Sequence, residues 1–237
     1  MNQTILDECW SKIGPQQNRT KCPYHRVRNL FTHCSNYIDN SIEGDFVEVG
    51  TWKGGCSALM GKMCDLEGKN RKVWALDSFE GMSPPDSSVD LLEGESKAEV
   101  CFKPEVQLHN FNLQDFEDTC FKIVGVDRNT MKIHKGWVEN TLPSIVKEVD
   151  KISILRIDVD WYEPTLQVLE YLYDKVIPGG VIICDDYGAW KGARLAIDEF
   201  REKRGIISSI QQTPADDFSS QPSLLVGTEH FWIKDKK

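Results

Sequence analysis

Four aspartates follow two apolar runs of the sequence, and their type and spacing suit metal-assisted chemistry. Asp158 and Asp160 follow the first run, and Asp185 and Asp186 follow the second. The runs are Ile152–Ile157 and Val181–Cys184. One helix-type segment joins them, so a right-handed crossover makes the two strands parallel and brings their carboxyl ends to one edge of a sheet. If the strands are neighbours at ~4.8 Å, Asp158 lies beside Asp185 and Asp186.

Carboxylates this close repel one another by roughly a few kcal/mol per pair at an effective dielectric constant of about 20, so the cluster requires a positive charge. Oxygen ligands with no nearby His or Cys suit Mg²⁺, with Mn²⁺ or Ca²⁺ as substitutes. We therefore predict a metal site formed by Asp158, Asp185 and Asp186, with Asp160 as the candidate general base. The alternative is that Asp185 and Asp186 only cap the next helix.

A rival motif overlaps this cluster. The segment Asp158-Val159-Asp160 also resembles the D-x-D loop of aspartate-nucleophile phosphatases. That loop has Thr or Val where Tyr162 stands, and it normally follows the first strand of its fold. A metal-dependent phosphohydrolase with Asp158 as its nucleophile is therefore an alternative to be tested.

A glycine-rich turn follows the first apolar run and predicts a nucleoside site. It contains neither G-x-G-x-x-G nor a P-loop. Asp77 ends the next run, 29 residues after Glu48, where an acid binds ribose hydroxyls. S-adenosylmethionine fits a site of this kind, with its amino-acid end at the turn and adenine near Trp137; Trp137 as a core residue is equally compatible. The candidate cofactor residues are Glu48, Gly50, Thr51, Gly54, Ser57, Asp77, Ser78, Gly136, Trp137 and Asp158.

Short apolar runs alternate with helix-type periodicity along most of the chain, which is typical of an α/β fold with a largely parallel sheet and helices on both faces. The predicted strands are 45–49, 72–76, 131–134, 152–157 and 181–184, followed by an antiparallel pair at 206–210 and 230–233. Pro164 opens the helix after the fourth run, and Pro178-Gly179-Gly180 closes it. We expect one domain over 1–237, with an N-terminal helical cap at 1–43 that includes a helix from Tyr24 to Ile38, and a lid or insertion at 79–112.

The composition limits the partners of the protein. A net charge of −9 disfavours binding to nucleic acid or to anionic lipid. No run approaches the ~18 apolar residues of a membrane span, and the chain starts without a signal-peptide pattern. The eight cysteines have irregular spacings, so we expect reduced thiols and a cytoplasmic location. The sequence leaves open whether copies of the chain form a homo-oligomer.

Five co-linear motifs together resemble the macrocin O-methyltransferase family over residues 23 to 205. They are DFVEVGTWKGG at 45–55, LDSFEGM at 76–82, KGWVENTLP at 135–143, DVDWYEPT at 158–165, and PGG at 178–180 through DDYGA at 185–189. The resemblance implies a Rossmann-like class I methyltransferase fold, with a mostly parallel seven-stranded sheet and an antiparallel C-terminal strand. Two departures bear on the acceptor: Trp161 stands where the family commonly has Leu, and 83–112 follows no family pattern.

The activity implied by the resemblance is methyl transfer from S-adenosylmethionine, with Mg²⁺, to a hydroxyl of a sugar or glycoside. Adjacent acceptor hydroxyls would chelate the metal at Asp158, Asp185 and Asp186, and Asp160 would take the proton. A catechol-type phenol presents the same pair of oxygens and is an alternative acceptor. A module that binds the cofactor without transferring its methyl group is a further alternative.

Overall fold

The computed structural model describes residues 1–91, 111–214 and 228–235 of the 237-residue chain. The strands are β1 Asp45–Val49, β2 Val73–Asp77, β3 Met131–Lys135, β4 Ile152–Ile157, β5 Val176–Cys184, β6 Gln211–Gln212 and β7 His230–Ile233. The helices are α1 Gln3–Ile13, α2 Tyr24–Asp39, α3 Gly55–Glu67, α4 Leu113–Glu117, α5 Val138–Glu148, α6 Tyr162–Leu172 and α7 Lys191–Arg204. The predicted alternation of strands and helices is confirmed from β1 to α7.

The strands form one seven-stranded sheet in the order β3-β2-β1-β4-β5-β7-β6. β1 to β5 are parallel, while β7 runs antiparallel to β5 and to β6. The strand order reverses direction between β1 and β4, and ligands bind at such a switch point, outside the carboxyl ends of the strands. The predicted fold class is therefore confirmed, and the sheet places the ends of β1, β2, β4 and β5 around one crevice.

The alternation of side chains along each strand divides the core between the two faces of the sheet. Phe46 and Ile154 pack with α1, α2 and α3 on one face. Val47 and Leu155 pack with α5, α6 and α7 on the other. Both clusters consist of buried apolar side chains, so the strands are covered on both sides and held in a fixed register.

The N-terminal residues fold as two helices, α1 and α2, against α3. The segment between them runs beside the start of α3, where Gly55 donates its backbone N–H to the Arg19 carbonyl at 3.0 Å. A Cβ at Gly55 would stand 2.6 Å from that carbonyl oxygen. Gly55 therefore allows the N-terminal segment to pack closely on the glycine-rich turn.

Two boundary predictions are wrong. The apolar run at 206–210 is not a strand, because Ile206 continues from the end of α7 and Ile207 is 89% exposed; the strand that pairs with β7 is Gln211–Gln212. Pro178-Gly179-Gly180 lies within β5 instead of ending the helix, which already ends at Leu172. The Gly179 N–H donates to Lys234 at 2.8 Å, so this stretch remains part of the sheet.

Within the described residues, no helix is both long enough and apolar enough to cross a membrane. Seven of the cysteines lie in the described residues, and all of them are buried free thiols, as predicted. The predicted lid or insertion lies partly outside the described residues, which resume at Phe111.

Candidate active site

The ends of β4 and β5 bring the four aspartates together. Ile157 of β4 pairs with Cys184 of β5, and the Asp185 N–H donates to the Ile157 carbonyl at 3.0 Å. One carboxylate oxygen from each of Asp158, Asp160 and Asp186 lies within 4.8 Å of the others. The crossover predicted Asp158 beside both Asp185 and Asp186; Asp158 does lie within this distance of each, but in two different groups, because Asp185 groups with Cys22 instead of Asp186.

A tight turn after β4 directs Asp160 back toward β5. Asp160 has a left-handed backbone with a φ of 63°, an uncommon conformation for a residue with a side chain. Its N–H donates to Asp186 Oδ2 at 3.0 Å, and the next N–H, of Trp161, donates to the Val159 carbonyl at 2.7 Å. The Trp190 side chain lies beside the Asp160 carboxylate and lowers its pKa against the effect of burial. Backbone strain of this kind is common at functional sites.

Arg156 is the functional residue that our reading of the sequence missed. It lies on β4 with a side chain 1% exposed, and its guanidinium donates to Glu48 at 2.9 Å, to Asp158 at 2.7 Å and to Asp185 at 2.6 Å. A signal was present in the sequence, because a charged residue inside an apolar strand must find a buried partner of opposite charge.

Asp185 is bound by two arginines. Its Oδ2 accepts from Arg26 at 2.6 Å, and its Oδ1 accepts from Arg156 at 2.6 Å. Burial would raise the pKa of Asp185, but Arg26 and Arg156 outweigh burial, and the pKa is lowered. Asp185 forms a second possible donor group with Cys22 and Asp158, and the Arg156 guanidinium already contacts all three. The predicted role of Asp185 as a metal ligand therefore competes with these arginines.

The other three aspartates lie where their ionised form is disfavoured. Burial raises the pKa of Asp158 to about 6, and Asp185 adds to the rise. Burial and the neighbouring Asp158 raise the pKa of Asp160 to about 8. The pKa of Asp186 is also raised, by burial and then by Asp160. A divalent cation fits this donor set, because it would stabilise the ionised form of carboxyls whose pKa values are raised by burial and by one another.

A cavity of about 1660 Å³ opens beside the aspartates. Most of the predicted site residues line it: Glu48, Gly50, Thr51, Asp77, Ser78, Gly136, Trp137, Asp158, Asp160, Asp185 and Asp186. Two predicted cofactor residues do not. Gly54 packs against Phe116, where a Cβ would stand 2.5 Å from the ring, and Ser57 is fully buried behind the wall and hydrogen-bonds to Glu48.

Gly50 permits the close approach of two strand ends. Its φ is 82°, and a Cβ there would stand 1.7 Å from the Asp158 carbonyl oxygen. Its N–H donates to Leu76 of β2 at 2.8 Å. The predicted sharp turn is therefore present. This tight turn lets the end of β1 pack against the end of β4. The turn also places Thr51 on the cavity wall.

Asp77 fixes the glycine-rich turn from the end of β2. Its Oδ2 accepts the backbone N–H of Thr51 at 2.7 Å and of Trp52 at 2.9 Å, while its Oδ1 accepts from Phe79 at 2.7 Å. Each carboxylate oxygen has two acceptor positions, so Oδ1 keeps capacity for a further donor such as a ribose hydroxyl. Next to it, Ser78 donates to the Gly81 carbonyl at 2.9 Å. The residues present therefore fit a nucleoside.

The third strand contributes Gly136 and Trp137 to the same cavity. Gly136 has a φ of 147° and donates its N–H to the Asp77 carbonyl at 2.9 Å. Trp137 lies at the start of α5, is half-buried and lines the cavity. Glu48, on β1, is buried, and its burial raises its pKa to about 7 against the opposing effect of Arg156.

The loop at residues 79–91 is held in place beside the aspartates. Trp161 Nε1 donates to the Ser83 carbonyl at 2.8 Å, and the Tyr162 N–H donates to Asp90 Oδ1 at 2.8 Å. The Trp161 ring packs edge-on against Trp190, with ring centroids 4.8 Å apart. Residues 79–91 therefore form an anchored wall of the cavity.

Trp161 and Trp190, which follow the ends of β4 and β5, line the cavity. Tyr162 and Tyr187 instead direct their hydroxyls to Glu199 and Asp198 of α7, because helix packing turns them away from the strand ends.

The strand order, the antiparallel β7 and the cavity at the switch point define a class I methyltransferase fold. The solved O-methyltransferase NovP shares it with a TM-score of 0.73 at 27% identity, over 92% of this chain and 83% of NovP. The calicheamicin methyltransferase CalS11, at 16% identity, shares the fold with a TM-score of 0.63 over 98% and 90% of the two chains.

Sequence comparison gives the family. The Macrocin-O-methyltransferase (TylF) family matches residues 7–217, and the chain belongs to this family. Demethyldecarbamoylnovobiocin O-methyltransferase of Streptomyces niveus is 31% identical over 204 residues, 83% of this chain and 72% of that protein. Mycinamicin III 3''-O-methyltransferase of Micromonospora griseorubida is 29% identical over 210 residues, 83% of this chain and 75% of that protein.

The protein is therefore an S-adenosylmethionine-dependent O-methyltransferase. This confirms the predicted activity and the predicted methyl donor. The alternative with Asp158 as the nucleophile of a phosphohydrolase is wrong.

Proposed function

We propose that the protein methylates a hydroxyl of a sugar or glycoside and that it requires Mg²⁺. The support for the acceptor is that a relative from Streptomyces olivaceus, 30% identical over 88% of this chain, is named as the 4'-O-methyltransferase of a rhamnosyl-tetracenomycin C. The support for the metal is the cluster of Asp158, Asp160 and Asp186, whose oxygens lie within 4.8 Å of one another beside the cavity. This cluster is the observation on which the proposal depends.

We propose Asp158 and Asp186 as two of the metal ligands, with either Asp185 or Asp160 as the third. Asp185 stays the predicted third ligand, but a metal there would have to compete with the arginines from which both of its oxygens already accept. Asp160 is close enough to ligate as well. When bound, Mg²⁺ would lower the pKa of an acceptor hydroxyl and offset the charge of the aspartates.

Asp160 is the proposed general base. Its turn is fixed by the hydrogen bond to Asp186 and by Trp190, so its carboxylate is held at the cavity wall. Without a metal, burial and Asp158 raise the pKa of Asp160 to about 8; bound Mg²⁺ would lower it and so favour the ionised form that accepts a proton. The sulfonium of S-adenosylmethionine supplies an activated methyl group, so the protein needs no covalent nucleophile.

The nucleoside would lie between the glycine-rich turn and β3. We propose that Asp77 and Ser78 bind the ribose, that Gly136 and Trp137 face the adenine, and that Glu48, Gly50 and Thr51 face the amino-acid end. Gly54 and Ser57 are proposed to act indirectly, because they support this wall from behind. We also propose a cytoplasmic location, which the free thiols support.

A transfer assay tests the function. The protein would be incubated with methyl-labelled S-adenosylmethionine and separate panels of nucleotide sugars, simple glycosides and catechols, with Mg²⁺ or with EDTA. We expect label in a sugar-containing product with Mg²⁺ and a loss of at least ~100-fold with EDTA. Equal transfer with EDTA would refute the metal requirement, and transfer to catechols alone would refute the sugar acceptor.

A further inference from the structure

One buried guanidinium connects the two halves of the active site. Arg156 Nη1 donates both to Glu48 Oε1 at 2.9 Å and to Asp158 Oδ2 at 2.7 Å. Its Nη2 donates to Asp185 Oδ1 at 2.6 Å and lies 2.9 Å from Cys22 Sγ. These partners come from β1, from the ends of β4 and β5, and from the N-terminal segment. Arg156 is thus the point where four separate parts of the chain meet.

Sheet register places Arg156 in this position. Arg156 pairs with Glu48 across β4 and β1, so their side chains lie on the same face of the sheet. Asp158 is two residues further along the chain, directly after the end of β4, and Asp185 follows Cys184, which pairs with Ile157. Arg156 and Glu48 are each 1% exposed. Neither charge can separate from the other without leaving an unpaired ion in a low-dielectric interior, which is strongly unfavourable.

The two carboxylates on Nη1 belong to different binding regions. Glu48 is a proposed contact of the nucleoside, and Asp158 is a proposed metal ligand. They share one nitrogen, so a ligand that changes the charge or position of either carboxylate changes the strength of the other hydrogen bond. Charge-assisted hydrogen bonds of this type are about twice as strong as neutral ones, so the shared donor matters energetically.

We propose that Arg156 is a positioning residue that couples the binding of the nucleoside to the binding of the divalent metal. The inference depends on the proposed metal site. A cation at Asp158 weakens the hold of Asp158 on Nη1 and strengthens the pairing of Arg156 with Glu48. Glu48 is thereby held more firmly at the nucleoside end of the cavity, so each ligand favours the other.

Thermodynamic linkage makes this coupling reciprocal. If Mg²⁺ tightens nucleoside binding by some factor, the nucleoside tightens Mg²⁺ binding by the same factor. Couplings between sites are typically about 5- to 150-fold. We expect the lower part of that range, at least ~5-fold, because the coupling passes through a single residue.

The experiment uses calorimetry on the full chain. S-adenosylhomocysteine is titrated with Mg²⁺ or EDTA present, and Mg²⁺ is titrated with and without S-adenosylhomocysteine. The test variant is Arg156→Lys, because lysine keeps the charge but lacks the planar fork that reaches several carboxylates. For each ligand, coupling is measured as the dissociation constant without the other ligand divided by the dissociation constant with it. We expect this ratio to be at least ~5 in the wild type and below ~2 in Arg156→Lys, in both titrations.

Arg71→Lys is the matched control. Arg71 is also buried and pairs with Glu67 at 2.9 Å, but it holds the carbonyls of Gly44 and Ile42 before β1. Those groups lie at the opposite end of the strands from the aspartates. A loss of stability from replacing a buried arginine will therefore appear in both variants, whereas the loss of coupling should appear in Arg156→Lys alone.

Each outcome decides the question. Coupling in the wild type and in Arg71→Lys but not in Arg156→Lys supports the proposal. Undiminished coupling in Arg156→Lys overturns it. A wild type that binds both ligands independently also overturns it. Neither result contradicts the proposed metal site. A wild type that binds S-adenosylhomocysteine but no Mg²⁺ overturns the proposed metal site itself.

If Arg156→Lys does not fold, Glu48→Gln replaces it in the same titrations. We expect the same loss of coupling in Glu48→Gln, and retained coupling would contradict the proposal.

Discussion

The backbone N–H of Asp160 donates a hydrogen bond to Oδ2 of Asp186 at 3.0 Å, which joins the turns after β4 and β5. Asp160 takes up a left-handed backbone conformation to make this contact. The turn thereby places one more carboxylate in a cluster that already contains Asp158 and Asp186. This geometry is the basis for assigning to one cluster both a metal and a proton acceptor.

Asp158→Asn should remove metal-dependent turnover. The change keeps the shape of the side chain but removes the charge of a proposed ligand, so we expect the turnover number to fall at least ~100-fold. The affinity for S-adenosylhomocysteine in EDTA should change less than about threefold. Asp45→Asn is the control, because Asp45 accepts from Trp74 Nε1 at 2.8 Å at the other end of the sheet. A variant at Asp158 with more than half of wild-type turnover would contradict the assignment.

Trp190→Phe should impair catalysis more than stability. Phenylalanine can keep an aromatic contact with Trp161 but lacks the indole N–H, through which Trp190 lowers the pKa of Asp160. We expect the turnover number to fall about tenfold, which is less than the ~10²- to 10⁴-fold that a positioned base usually contributes, because Asp160 itself is retained; the KM for S-adenosylmethionine should be nearly unchanged. Trp74→Phe also removes a buried indole hydrogen bond to a carboxylate and should leave turnover intact. Equal turnover in the two variants would argue against a positioning role.

The stability of the metal-free protein should decrease as pH rises from about 4 to about 8. The pKa values of Asp158 and Asp160 are raised to about 6 and about 8 in the folded state. Over this interval these two carboxyls hold more protons in the folded state than in the unfolded state, so their contribution to the free energy of unfolding falls with pH and outweighs the opposing one of the buried His33, whose lowered pKa acts only below about pH 6.5. Below about pH 4 these two carboxyls are protonated in both the folded and the unfolded state, and above about pH 8 they are ionised in both.

Bound Mg²⁺ should offset this loss, since it binds the ionised carboxylates. We therefore expect the rise in melting temperature with Mg²⁺ to be larger at pH 8 than at pH 6, measured by calorimetry. The Asp158→Asn variant serves as the control and should show little rise at either pH. A rise that is larger at pH 6 would show that the aspartates do not bind the metal.

Gly50→Ala should be far more damaging than Gly68→Ala. Both glycines have a positive φ, but a Cβ at Gly50 would stand 1.7 Å from the Asp158 carbonyl oxygen, whereas Gly68 has nothing within 4 Å. We expect Gly68→Ala to lower the free energy of unfolding by about 1 kcal/mol and Gly50→Ala by roughly 3 kcal/mol or more. Chemical denaturation measures both, and similar losses would mean that the end of β4 can move away from the turn.

The sequence was sufficient to predict the sheet and the meeting of the aspartates. Parallel strands joined by one crossover have few arrangements, so the pairing of β4 with β5 followed from the apolar runs and from the helix between them. Asp158 therefore had to end beside Asp185. The bounds of β1 and β4 were also predicted, because Gly, Asp and Pro mark their ends.

The partners of the aspartates could not be predicted in the same way. Arg26 reaches Asp185 across 159 residues of sequence, and Cys22 comes from a segment whose position depends on how α1 and α2 pack on α3. The roles of Gly54 and Gly55 depend on Phe116 and Arg19, which only the folded chain brings to them. Contacts of this kind are set by tertiary packing and leave no periodic pattern in the sequence.

The most direct test of the account is a crystal structure of the protein grown with S-adenosylhomocysteine and Mn²⁺, with anomalous data to locate the metal. We predict an anomalous peak within about 2.5 Å of a carboxylate oxygen of both Asp158 and Asp186, with the nucleoside between Asp77 and Trp137; the third ligand will show whether Asp185 or Asp160 completes the site. Bound nucleoside with no peak at these aspartates, or a peak at another place in the chain, would contradict the account.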